Sequence, residues 1–274
     1  MTPDLPPWYS LWNWRPGTLI GAVFVLSLYL IAVGPARKRY FKAPEVKNSQ
    51  IICFILAIIT ILIAQVSPLD ALSDEYLFSA HMAQHMLLTA VAAPLLLLGL
   101  PDWMLQPFLK HPRIKRTLAF LTYPIFAFLI FNLNFLIWHF PTFYEATLEN
   151  EIIHFIEHML FLVTALLFWW PIFSPSSELP RLSYPYQVLY LFLAAVPSTI
   201  LGALIIFSPT ILYETYLNAP RITILDPMTD QQIAGVLMAM VGSMIYLIVL
   251  SIVFFKWLNQ EEKHNPGPRL KGES

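Results

Sequence analysis

Seven long apolar runs, almost free of charge, constrain this chain more than any other feature. They cover about residues 17–37, 50–66, 78–100, 116–139, 152–173, 186–208 and 231–257. A helix needs roughly 20 apolar residues to cross a hydrocarbon core about 30 Å thick. None of the runs alternates with the period of two that a membrane β-barrel requires. Of the 274 residues, 57% are hydrophobic and only 12% charged. A soluble domain carries about twice that share of charge, so lipid is the natural solvent for this surface. Backbone amides in lipid can pair only with each other, which selects helices. The expected fold is all-α: a polytopic membrane protein with a single seven-helix transmembrane bundle over 17–258. An extracytoplasmic segment at 1–16 and a cytoplasmic tail at 259–274 complete the expected organisation.

Proline marks the ends of the runs. Pro44, Pro68, Pro101, Pro141, Pro175, Pro209 and Pro227 fall in connections, where a missing N–H is tolerated. Pro94 and Pro197 lie inside runs and predict kinks in the third and sixth helices. The first residues lack a basic stretch ahead of an apolar one, so no cleavable signal peptide is expected. Orientation follows from the basic residues. Fourteen of the sixteen Lys and Arg fall in the odd-numbered connections and the tail, among them Arg37, Lys38, Arg39, Lys110, Arg113 and Lys263. Only Arg15 and Arg221 fall on the other side, which carries the acids Asp70, Asp74, Glu75, Glu145, Glu149 and Glu151. The positive-inside rule then places the amino terminus outside and the carboxyl terminus in the cytoplasm of a bacterial inner membrane. Trp8, Trp12 and Trp14 suit an interfacial belt on the outer side. A net charge of −1 gives no reason to expect nucleic acid as a partner. The single cysteine, Cys53, supports neither a disulfide framework nor a thiolate metal site.

Once the helices are oriented, five of the seven histidines share one membrane depth near the outer face. His81 and His85 begin the third helix, His139 ends the fourth, and His154 and His158 begin the fifth. His111 and His264 belong to cytoplasmic segments. In HMAQH (81–85) and HFIEH (154–158) the imidazoles stand four residues apart, on one helical face with Cβ atoms about 6 Å apart. That spacing lets both rings of a pair reach one metal ion. A lone interfacial histidine needs no ligand role; two such pairs plus His139 point to a metal or cofactor site.

Glu157 is an ionisable group inside a transmembrane run, expensive unless it faces the bundle interior or a cavity. It can orient a ligating histidine, relay protons or coordinate directly. Met82 and Met86 flank the first histidine pair and Met159 follows the second. Thioether with imidazole suits Cu(I), while imidazole with carboxylate suits Zn or Fe; methionine is equally a gap-filler in apolar helices. Gln84, Asn132 and Asn134 read as interhelical hydrogen-bonding residues. Asp230, just ahead of the seventh run, either caps that helix or lies beside the histidines as a relay. Cys53, near the opposite end, reads as a small buried hydrophobe.

With these residues in view, the sequence resembles the caa3-type CtaG family of cytochrome c oxidase assembly factors. The resemblance is carried by FSAHMAQHMLLTAVAAPLLLLGLP at 78–101 and WHFPTFYEA at 138–146. HFIEHMLFLVTALLFWWPI at 154–172, LGALIIFS at 201–208 and DQQIAG at 230–235 complete it. It implies a membrane factor, not an enzyme, that helps build a haem–copper oxidase by delivering or inserting copper. On that reading His81, His85, His139, His154 and His158 are copper ligands or relay positions, and oxidase subunits and membrane lipid are the partners. Three rival readings stand beside it. HFIEH has the H-x-x-E-H form of a zinc hydrolase in which Glu157 is the general base. Histidines on neighbouring helices can also ligate haem. A metal-free scaffold for oxidase subunits needs no histidine at all.

Overall fold

A computed structural model describes residues 7–221 and 225–264; residues 1–6, 222–224 and 265–274, including Arg269 and Lys271 of the expected tail, lie outside the described residues. Every regular element among the described residues is helical. In chain order the helices are α1 Pro16–Phe41, α2 Asn48–Val66, α3 Pro68–Glu75, α4 Phe78–Gly99, α5 Asp102–Leu109 and α6 Pro112–Leu121. Then come α7 Pro124–Trp138, α8 Pro141–Glu149, α9 Glu151–Phe173, α10 Tyr184–Ile206, α11 Glu214–Asn218 and α12 Pro227–His264. Six of these, α1, α2, α4, α9, α10 and α12, are each long and apolar enough to cross a membrane.

The fourth expected span, 116–139, is not one straight helix. It is the pair α6–α7, bent by 67°, and it raises the number of spans to seven when counted as one. The bend has a local cause. Pro124 has no N–H and its ring disfavours the α conformation in the residue before it. Tyr123 is accordingly extended (φ −62°, ψ 132°), and a new helix starts at Pro124. The last span starts at Pro227, four residues ahead of the expected 231. Asp226 caps it by accepting from the N–H groups of Met228 and Thr229, with proline at the first helical position.

Pro94 is absorbed by a widened π turn at Leu87–Ala92 rather than a break. The Ala93 N–H bonds the Leu88 carbonyl five residues back. This leaves the Thr89 carbonyl free of its α-helical partner, and the Trp169 indole donates to it at 2.8 Å. A second π turn, Leu237–Val241, interrupts α12. Pro197 lies inside the continuous helix α10. In α1 the corresponding irregularity surrounds Pro35, with Gly34 outside helical geometry (φ −93°, ψ −110°).

The core forms two main apolar layers. One, around Leu97, Phe131, Phe168, Trp169, Tyr190 and Tyr246, joins α4, α7, α9, α10 and α12. The other, around Phe78, Met82, Tyr144, Tyr213, Tyr216 and Met238, lies toward the end that carries α3, α8 and α11. There α10 and α12 cross at Gly202 and Gly235. A Cβ at Gly202 would stand 2.6 Å from the Gly235 carbonyl, and one at Gly235 2.7 Å from the Gly202 carbonyl. Only residues without a Cβ let the backbones approach this closely. On the outside, side chains such as Ile20, Phe24, Phe192 and Leu204 are exposed, as a lipid-facing surface requires.

Candidate metal centre

The histidine pairs come together. His81 and His85 project from α4 and meet His154, Glu157 and His158 on α9. One ligand atom each from His81, His85, Glu157 and His158 lies within 4.8 Å of the others. Glu157 Oε1 is 3.6 Å from His85 Nε2 and 3.9 Å from His81 Nε2. His154 Nε2 faces His158 Nε2 at 3.1 Å. All five side chains are buried.

The fit to a cation rests on the unpartnered atoms. Both ring nitrogens of His81 and of His85, and both oxygens of Glu157, lack a hydrogen-bond partner. Each buried polar atom left in this way costs about 1–3 kcal/mol. One nitrogen from each ring and a carboxylate oxygen, brought together from two helices, make a donor set that an ion can satisfy. The 3.1 Å between the two Nε2 atoms of α9 is also what two nitrogens at about 2.0–2.1 Å from one ion span. Beneath His158, Gln65 of α2 places its amide 3.4 Å from Nδ1. The amide nitrogen faces that ring nitrogen, so a metal on Nε2 calls for the amide to turn and let its oxygen accept from Nδ1–H.

A second triad adjoins the first. Asp74, His81 and His154 bring their ligand atoms within 4.8 Å of one another. Asp74 comes from α3, whose first turn is fixed by Ser67 accepting from the Leu69 N–H, with Pro68 following. The Asp74 carboxylate pairs with Arg15 at 3.0 Å, and Arg15 also reaches Asp70 at 3.2 Å. Gln84 of α4 ties this corner together by donating to Asp70 at 2.9 Å and to the Ala64 carbonyl at 2.7 Å. It serves the interhelical role expected of it. Burial, and then the Asp74 charge, push the Asp70 carboxyl up to about 6. Burial also raises the Asp74 carboxyl.

The other expected site residues are placed differently. His139 ends α7 with Nδ1 against the Phe135 carbonyl at 2.7 Å, and its buried Nε2 has no partner. It does not share the close groups of ligand atoms formed by the α4 and α9 histidines. Instead it lines a cavity of about 60 Å³ with His85, Met82, Met86, Asn132 and Met238. Asp230 is buried inside α12 and does not cap it. Its carboxylate accepts from the Phe78 N–H at 2.7 Å, from the Ser79 N–H at 3.3 Å and from the Ser79 hydroxyl. It therefore caps α4, three residues ahead of His81, and has no part in the donor set. Cys53 is half-buried near Lys47 and Arg181, at the other end of the bundle.

Three groups near the site were not singled out from the sequence. Tyr144 of α8 packs tilted against His81, with ring centroids 5.0 Å apart, and shares a hydrogen bond with Tyr216 of α11. Arg15 and Asp74 stood in the sequence only as loop charges. The i,i+4 spacing of Asp70 and Asp74 behind a Ser-Pro start was the available signal for α3.

The cytochrome c oxidase caa3 assembly factor family model matches residues 27–260. The chain belongs to this family. Its histidine cluster lies wholly within the matched stretch, whereas Arg15 lies ahead of it. Among curated proteins, the factor is similar to uncharacterized protein Mb0105 of Mycobacterium bovis, 26% identical over 273 residues, covering 91% of this chain and 40% of that protein. Uncharacterized protein MT0111 of Mycobacterium tuberculosis gives the same figures. Uncharacterized protein ML1998 of Mycobacterium leprae is 24% identical over 276 residues, with the same coverage. The chain thus spans about two fifths of the length of these relatives. No solved structure matches it.

Proposed function

We propose that this assembly factor carries copper to a haem–copper cytochrome c oxidase, holding the ion on His81, His85, His158 and Glu157. The observation behind this reading is the set of buried imidazole and carboxylate atoms gathered within 4.8 Å, those of His81, His85 and Glu157 unpartnered. Imidazole donors suit copper, zinc, iron and nickel alike. The family's task, assembly of a caa3 oxidase, favours copper among them. The thioethers of Met82 and Met86 beside His85 add a softer border on one side. The charge asymmetry of the connections supports an outer-face site in a bacterial inner membrane, with the amino terminus outside. Copper arriving from outside then meets the acid-lined end of the bundle first. As cargo the ion is bound and released, and the side chains break no substrate bond. The recipients are oxidase subunits, docked against a factor that is otherwise surrounded by lipid.

A second reading, zinc-dependent hydrolysis, draws on one observation. Glu157 stands 3.6 Å from His85 and 3.9 Å from His81, beside the His154 and His158 of its own H-x-x-E-H motif, where it could serve as general base to a zinc-bound water. Metal analysis of protein purified from copper-replete membranes separates the two. Near-stoichiometric copper, lost both in His81→Ala/His85→Ala and in His154→Ala/His158→Ala, is expected. Zinc in its place moves hydrolysis to the front. Oxidase maturation that proceeds normally in both double variants refutes the carrier and leaves a scaffold.

A further inference from the structure

We infer that Asp74, His81 and His154 form a second, outer cation station through which copper reaches the inner group, and that Arg15 closes it. The inference rests on the carrier reading above. It is carried by how the two groups share their side chains. His154 turns Nδ1 toward Asp74 Oδ2 at 3.7 Å and Nε2 toward His158 at 3.1 Å. One ring thus faces both stations. His81 belongs to both groups of ligand atoms. An ion held by Asp74, His81 and His154 can therefore pick up His158 and Glu157 as Asp74 lets go, without ever being without ligands. No electron moves and no covalent bond breaks.

Exposure sets the direction. The Arg15 side chain is 30% accessible, Asp74 22%, His154 4% and Glu157 not at all. The outer station is the part that water and ions reach first. Its carboxylate is divided between uses: Oδ1 accepts from Ser73, while Oδ2 faces both Arg15 and His154. The guanidinium and an incoming cation therefore compete for one oxygen. Arg15 is positioned by the segment ahead of α1, where the Asn13 N–H donates to the Val66 carbonyl at 3.0 Å and the Asn13 side chain to Asp70 at 2.8 Å. This strap lies ahead of the stretch that the family model matches.

The test is copper uptake by the full chain in lipid nanodiscs, with Cu(I) supplied from a weak chelator and followed by stopped flow. A charge at the mouth of a site changes association rates by about tenfold or more. Arg15→Gln should load about tenfold faster than wild type and Asp74→Asn about tenfold slower. Both should end with the wild-type amount of copper per chain, because the inner donors are intact. Equal loading rates in wild type and Arg15→Gln overturn the closure. Asp74→Asn that loads at the wild-type rate overturns the entry station, and Asp74→Asn that ends with less copper makes Asp74 a ligand of the inner group instead. Arg15 sits on a half-exposed strap, so its variant carries the test alone if Asp74→Asn fails to fold. A wild type that takes up no copper sinks the carrier reading itself, an outcome distinct from altered rates with a normal endpoint.

Discussion

Replacing Glu157 by glutamine should weaken copper binding while making the metal-free protein more stable. The two signs come from the same geometry. Glu157 Oε1 lies 3.6 and 3.9 Å from two imidazole nitrogens, so an ion shared by those rings and the carboxylate would lie within about 4 Å of it. At 4 Å and an effective dielectric constant near 20, unit charges attract by about 4 kcal/mol. Glutamine keeps one oxygen as a ligand, so part of that is retained and a loss of about 2–3 kcal/mol is expected, or 30- to 150-fold in affinity. Without metal the balance reverses. Both carboxylate oxygens are buried and unpartnered, whereas the glutamine amide can donate to the nearby imidazoles, worth about 1 kcal/mol. Competition with a Cu(I) chelator gives the affinity, and thermal unfolding of the metal-free protein in detergent gives the stability. Unchanged affinity would refute the ligand role of Glu157. A metal-free variant less stable than wild type would refute the account of its unpartnered oxygens.

Three further outcomes follow from the packing and the connections. Alanine at Gly202 or Gly235 must push α10 and α12 apart, because the new Cβ meets a backbone carbonyl at 2.6 or 2.7 Å; a destabilisation of about 1–3 kcal/mol in chemical unfolding is expected, with Gly→Ala at Gly21, which has open space, as the neutral control. Asp230→Ala removes the cap of α4 and should cost about 2 kcal/mol, with hydrogen exchange rising first at Phe78 and Ser79 rather than in α12. Asp70 supplies a pH dependence. Its folded-state carboxyl is raised from 3.8 to about 6, so the folded protein holds more protons than the unfolded one between those values. Stability should therefore fall as pH rises from about 4 to about 6 and level off above, and Asp70→Asn should flatten that slope.

Much of this arrangement could be read from residues alone, and the parts that could not have identifiable causes. The apolar runs located six spans to within a few residues because long hydrophobic stretches in lipid admit one structure. The fourth run hid its bend because hydropathy is blind to Pro124, whose effect on Tyr123 is steric. The i,i+4 histidines were legible because helical spacing alone puts each pair on one face. That α4 and α9 are neighbours was not legible, since nothing local to either helix states its partner. His139 shows the limit of arguing from depth. It lies at the right level, but the end of α7 turns its Nδ1 back onto Phe135, so its other nitrogen faces the cavity. Asp230 shows the same for capping: a carboxylate near a helix start can serve the start of a different helix. Asp74 was hidden because a connection of this length reads as a loop until Ser67 and Pro68 are seen to begin α3.

The widened turn at Leu87–Ala92 has a consequence for how the histidine pair keeps its aim. A π turn holds one residue more than the α turn it replaces, and each helical residue turns the chain by about 100°. Wound as a regular helix, the same number of residues would carry His81 and His85 about the axis by roughly that angle, away from Glu157. The bearing of the donors on α4 is thus set by the widened turn between them and Pro94, whatever side chains fill the interval.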